Sequence, residues 1–110
     1  MSDDALDAYQ RAAARTINPA LDDEARLLDA ACGMAEEAGE VLALVRKHVM
    51  HGRALGRALD RARLVEELGD ALWCLAIVAR TADVTLAEVA EANIAKLRHR
   101  HPAGFDTGPR

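Results

Sequence analysis

The sequence predicts an all-α fold, and three observations predict it. Apolar residues make up 51% of the chain, and alanine and leucine, both strong helix formers, dominate them. No stretch alternates apolar with polar over the length of a strand. Breakers at Asn18-Pro19 and His51–Gly56, a capping-box pattern at Thr85–Glu88, and the stop at Pro102 and Gly104 give four helical segments. At 110 residues the chain is sized for one domain, over 1–105, followed by a loose, flexible tail at 106–110.

The first helix is expected from about Asp4 to Thr16, with Leu6, Tyr9, Ala13 and Ile17 near helical spacing. Pro19 ends it, because proline disfavours helical backbone in the residue before it. A second, long helix opens at Asp22 and Asp23, acids suited to a helix N-terminus, and runs to about Val49. Two glycines in His51–Gly56 mark a turn, and the third helix is expected from about Arg57 to Ala82. Within it, Ala71–Ala79 is apolar on every side, which calls for a central position or cover from a second subunit. Thr85-Leu86-Ala87-Glu88 has the pattern of a capping box and opens a fourth helix running to about His101.

Composition removes several function classes. With 14 Lys+Arg against 18 Asp+Glu the net charge is −4, so the basic footprint of a protein that binds polymeric nucleic acid is missing. One Trp, one Tyr and one Phe offer few platforms for stacking on single strands. Ala71–Ala79, the longest apolar run, falls well short of the ~20 residues that cross a bilayer, so no membrane partner is expected. Asp3, Asp4 and Asp7 occupy the place where a secretory signal is basic. Cys32 and Cys74 make neither a disulfide framework nor a metal-ligand spacing, so a reducing, cytoplasmic setting is expected. Charge is also segmented, since Arg46, Lys47, Arg53, Arg57, Arg61 and Arg63 face a single acid, Asp60, between residues 46 and 63. That stretch reads as a solvated loop with helix ends, or as a cationic rim that meets a polyanionic substrate.

The chemistry lies in two acidic segments. Glu36-Glu37-Ala38-Gly39-Glu40 is in the second helix and Glu66-Glu67-Leu68-Gly69-Asp70 in the third. Residues three and four apart share a helix face, so each segment presents a cluster of carboxylates. The flanking Val41, Leu42, Leu68 and Leu72 are expected in a core. Halfway between the pairs Glu37/Glu40 and Glu67/Asp70 lie residues 53 and 54, inside the expected turn, so an antiparallel hairpin brings the pairs together. Carboxylates at such distances raise one another's pKa, and a hard divalent cation relieves the conflict. All-oxygen ligation favours Mg²⁺, with Mn²⁺ as a substitute, over iron or zinc. The Glu-x-x-His pairs of di-iron bundles are absent, since Ala43 follows Glu40 by three and Asp70 follows Glu67 by three. Without a metal, the same acids would be exposed helix residues paired with Arg63, Arg46 or Lys47.

These residues resemble the MazG-type all-α nucleotide pyrophosphohydrolases. The family pattern E-E-x-x-E followed by E-x-x-D reads here as Glu36-Glu37-Ala38-Gly39-Glu40 and Glu67-Leu68-Gly69-Asp70. Asn93-Ile94-Ala95-Lys96-Leu97-Arg98-His99-Arg100-His101-Pro102 is similar to its C-terminal segment, and the likeness covers roughly residues 22–105. The resemblance implies a four-helix, oligomeric bundle, a homodimer or homotetramer, with two long antiparallel helices carrying the acids. It implies hydrolysis of nucleoside triphosphates between the α and β phosphates, giving a monophosphate and pyrophosphate, in nucleotide-pool housecleaning. Glu37, Glu40, Glu67 and Asp70 would hold Mg²⁺, and Glu36 would ligate a further metal or orient water. Lys96 and Arg100 would contact phosphates, with a surface pair as the other reading, and Asn93 would bond phosphate or sugar or serve structure. Trp73 would stack on a base or sit in the core. A same-scaffold enzyme dedicated to dUTP or a phosphoribosyl-nucleotide, and a non-enzymatic helical module that binds nucleotide or protein, are the alternatives.

Overall fold

A computed structural model describes residues 4–105; the expected tail at 106–110 lies outside them. Four α-helices follow one another: α1 (Ala5–Ala14), α2 (Asp23–Lys47), α3 (Arg61–Thr81) and α4 (Leu86–Arg100). A π-helical turn, His48–Gly52, continues α2, and no strand forms among the described residues. The all-α expectation therefore holds.

Each helix starts where a short polar side chain satisfies free backbone donors. Asp4 accepts from the Leu6 amide at 2.8 Å, Asp22 from Ala25 at 2.8 Å, Asp60 from Arg63 at 3.1 Å and Thr85 from Glu88 at 3.1 Å. The expected start of the third helix at Arg57 is corrected by this chemistry. Asp60 is the first residue there able to cap, so 57–60 are not helical and the Arg57 amide donates to the Gly52 carbonyl at 2.8 Å. Gly56, at φ +68°, supplies the left-handed residue that lets the chain turn back.

The core sits where α1, α2 and α4 meet the C-terminal half of α3. Ala13, Ala30, Ala76, Ile77, Ala79 and Leu86 are buried, and Tyr9, Ile17, Trp73 and Val84 pack against them. Small residues let the helices approach closely. Gly33 shows how closely: a Cβ there would lie 2.8 Å from Cys74 Sγ. α1 contributes polar groups as well as apolar ones. Gln10 Nε2 donates to the carbonyls of Ala76 (3.2 Å) and Val84 (3.0 Å), and its Oε1 accepts from the Leu86 amide at 3.2 Å. Asp7 accepts from the Ala87 amide at 2.9 Å. Two amides at the start of α4, which have no partner within their own helix, are thus satisfied from α1.

Packing thins toward the connection between α2 and α3. Leu42 (65% exposed) and Leu68 (49%) are not in the core, against expectation, and Leu72 is partly exposed. The radius of gyration is 17.5 Å, against about 13 Å for a compact monomer of this length. The long helices project beyond what α1 and α4 can cover. The Ala71–Ala79 run is covered mainly by the chain itself, with Cys74, Ala76, Ile77 and Ala79 buried.

Candidate metal centre

Residues on facing turns of α2 and α3 build the site. Gly33 meets Cys74, and one turn further along α2 Glu37 meets Glu67 and Asp70. One oxygen from each of these three carboxylates lies within 4.8 Å of the others. Glu67 and Asp70 reach the same point because a spacing of three places them on one face of α3. The Glu67 side chain is largely buried at 13% exposure, Glu37 is half-buried and Asp70 is exposed.

The electrostatics follow from that crowding. The Glu37 carboxyl is pushed above its ordinary value, first by desolvation and then by the charges of Asp70, Glu67, Glu40 and Glu36. The Cys74 thiol is raised by burial first, and then by Glu37, Asp29, Asp70 and Glu36. Burial also raises the Tyr9 phenol, with Asp70 next in order. The counter-charge nearest the triad is Arg63, whose Nε lies 3.7 Å from Glu67 Oε1, an ion pair too long for a hydrogen bond.

Glu36 and Glu40 are exposed and act on Glu37 through their field, while their oxygens stay outside the group of three. Trp73 packs against the core, and its indole Nε1 donates to Thr16 Oγ1 at 2.8 Å. Asn93 and Lys96 line a groove of about 540 Å³ with Leu6, Leu72, Leu75, Leu86 and Val89. Leu72 lies about 140° round α3 from Glu67, so this groove opens on the far side of the helix from the triad of the same chain. Arg100 ends α4 and is exposed. Tyr9 is the neighbour that the sequence did not reveal. Nothing local marks it, because its proximity to Asp70 depends on how α1 docks.

The family model of the MazG nucleotide pyrophosphohydrolase domain matches residues 28–105, a span containing both acidic segments and α4. This chain belongs to the MazG family. As a MazG protein it is related to the Gene 37 protein of Mycobacterium phage L5, with 34% identity over 76 residues, 69% of this chain and 67% of that one. No solved structure matches significantly. The match begins inside α2, so α1, with the Gln10 and Asp7 clamp, lies outside the family segment. No helix among the described residues is long and apolar enough to cross a membrane.

Proposed function

We propose that this chain is a Mg²⁺-dependent hydrolase of (deoxy)nucleoside triphosphates, cleaving between the α and β phosphates to a monophosphate and pyrophosphate. The convergence of Glu37, Glu67 and Asp70 carries the reading. Magnesium–oxygen distances of about 2.1 Å hold two ligand oxygens no more than about 4.2 Å apart, so oxygens within 4.8 Å need only small side-chain movements to close on one ion. The donors are all oxygen, and the Glu37 carboxyl is raised by desolvation first and by its acidic neighbours next, an environment a hard cation would relieve. When bound, the ion would polarise the phosphate and neutralise developing charge.

The chain's own residues do the rest. Glu37, Glu67 and Asp70 hold the centre, Glu40 completes it from the next turn of α2, and Glu36 orients water. Arg63 keeps the Glu67 carboxylate aimed into the groove. The pairs Gly33–Cys74 and Glu37–Asp70 support an antiparallel arrangement of α2 and α3. The exposed Leu28, Leu42, Val65 and Leu68 support cover by a second copy, in a homodimer or homotetramer. In that assembly Asn93 and Lys96, which line a groove on the far side of α3 from their own triad, and Arg100 would reach substrate held by another subunit's acids. The cellular setting is cytoplasmic, in nucleotide-pool housecleaning.

The test is product analysis with Mg²⁺ across canonical and damaged triphosphates, dUTP and a phosphoribosyl-nucleotide. Glu67→Gln or Asp70→Asn is expected to lower turnover by roughly 10²–10³-fold with helical content unchanged. Full activity in both variants would sink the metal assignment.

A further inference from the structure

The cationic segment singled out in the sequence forms a defined cavity. Its volume is about 260 Å³, and it lies at the end of the groove between α2 and α3, lined by Lys47, His48, His51, Arg57 and Arg63 among others. The turn around it is ordered by backbone hydrogen bonds, from the Arg53 amide to the His48 carbonyl at 2.9 Å and from the Arg57 amide to the Gly52 carbonyl at 2.8 Å. A Cβ on Gly52 would lie 3.3 Å from His48 Nδ1 and 3.8 Å from Arg57 Cβ, so the glycine lets these two walls close together. The π-helical turn carries His48 and His51, and such turns recur at functional sites.

Two physical features choose the ligand. The volume is below the roughly 300–1,000 Å³ of pockets that enclose drug-sized molecules, so the cavity suits a small group such as a phosphate or pyrophosphate. Lys47, Arg57 and Arg63 supply fixed positive charge, while the lining acid, Asp60, is already engaged as the cap of α3. The guanidinium of Arg57 and the ammonium of Lys47 fit phosphate oxygens, and Arg63 adds its charge beside its ion pair with Glu67. Arg63 belongs to both sites, since it lines the cavity and its Nε faces Glu67 at 3.7 Å. Leu44, also in the lining, stands seven residues beyond Glu37 on the same face of α2, about 10 Å along the helix.

We infer that this cavity is an oligophosphate subsite, taking the distal phosphates of the substrate, and the pyrophosphate they become, beside the carboxylate triad. The inference rests on the reading of a triphosphate substrate given above. It assigns the basic turn a role in setting phosphate-chain length: a triphosphate reaches these cations, whereas a monophosphate held at the triad does not.

Calorimetric titration of inorganic pyrophosphate into the full chain tests it, in EDTA so that no divalent ion bridges ligand and carboxylates. The unmodified chain is expected to bind. Arg57→Ala and Lys47→Ala should each weaken binding by about tenfold. Arg53→Ala removes an equal charge from the same loop outside the lining and should change affinity far less. Circular dichroism shows whether each variant is folded, and Arg57→Lys keeps the charge if Arg57→Ala is not. No binding by the unmodified chain, or equal losses in Arg53→Ala and Arg57→Ala, would overturn the subsite. Triphosphate hydrolysis on the same proteins separates the two proposals. Pyrophosphate binding lost on Arg57→Ala, in a chain that cleaves no triphosphate, would sink the hydrolase and support the cavity as a phosphate site. Cleavage with unchanged KM and pyrophosphate affinity in Arg57→Ala would sink the subsite alone.

Discussion

The two halves of α3 occupy different surroundings. In the C-terminal half, Cys74, Ala76, Ile77 and Ala79 are buried, with α1 clamping the junction to α4 through Gln10 and Asp7. In the N-terminal half, Val65 and Leu68 stand open, and Glu67 and Asp70 meet Glu37 across the groove. One helix therefore carries the core at one end and the carboxylate cluster at the other. The division has a cause: ionised carboxylates in a dry core cost several kcal/mol each, so a cluster of them belongs where water or a cation can reach. Open apolar side chains and acids therefore sit side by side at that end.

That contrast can be broken most directly by truncation. Ile77→Ala, at a position 1% exposed, is expected to cost about 3 kcal/mol in urea unfolding, whereas Val65→Ala, 69% exposed in the single chain, should cost under about 0.5 kcal/mol at concentrations too low for the proposed assembly. A large, concentration-dependent cost at Val65 would show that a second copy covers that end. Equal small costs at both sites would mean that the difference between the halves has no energetic content.

A smaller effect is expected at the clamp. Gln10→Ala leaves the Leu86 amide and the carbonyls of Ala76 and Val84 without this partner, and should cost about 2 kcal/mol. Asp7→Ala removes one cap to α4 and should cost about 1 kcal/mol. Hydrogen exchange should show the loss concentrated at the first turn of α4. Uniform loss along α3 would contradict a local clamp.

The smallest effect is a pH dependence at the other half. Glu37 binds its proton more readily in the folded chain than in the unfolded one. In metal-free buffer its contribution to stability therefore falls as pH rises from the ordinary value of 4.5 through the raised one. Glu37→Gln should remove that fall, matching the parent protein at acid pH and melting higher at neutral pH. A variant that melts lower than the parent at neutral pH would show that the carboxylate is held by attraction.

Much of this was legible along the chain, for local reasons. The acidic segments were visible because helical spacing alone places Glu67 and Asp70 on one face, and the hairpin arithmetic set Glu37 and Glu40 opposite them, of which only Glu37 joins the group of three. The helix starts at Asp22 and Thr85 were visible because capping acts within one turn. The start of α3 was misplaced because Arg57, Ala58 and Leu59 show no local sign of being non-helical, and only the cap at Asp60 decides it. Leu42 and Leu68 were misjudged for a different reason: hydrophobicity says that a side chain seeks cover, and does not say that this chain has enough mass to provide it.

By itself, then, the order of residues determined the helical class, the break points and which carboxylates could share a face, because each depends on interactions within a few residues. Tertiary structure alone decided that α1 docks beside Asp70 and clamps α4, and that Asn93 and Lys96 lie behind α3. It also decided that the basic turn encloses a cavity. The docking of α1 and the placing of α4 depend on contacts between residues dozens of positions apart, set by how closely alanine- and glycine-faced helices pack, and the cavity depends on how the turn folds back between α2 and α3; no local pattern encodes either.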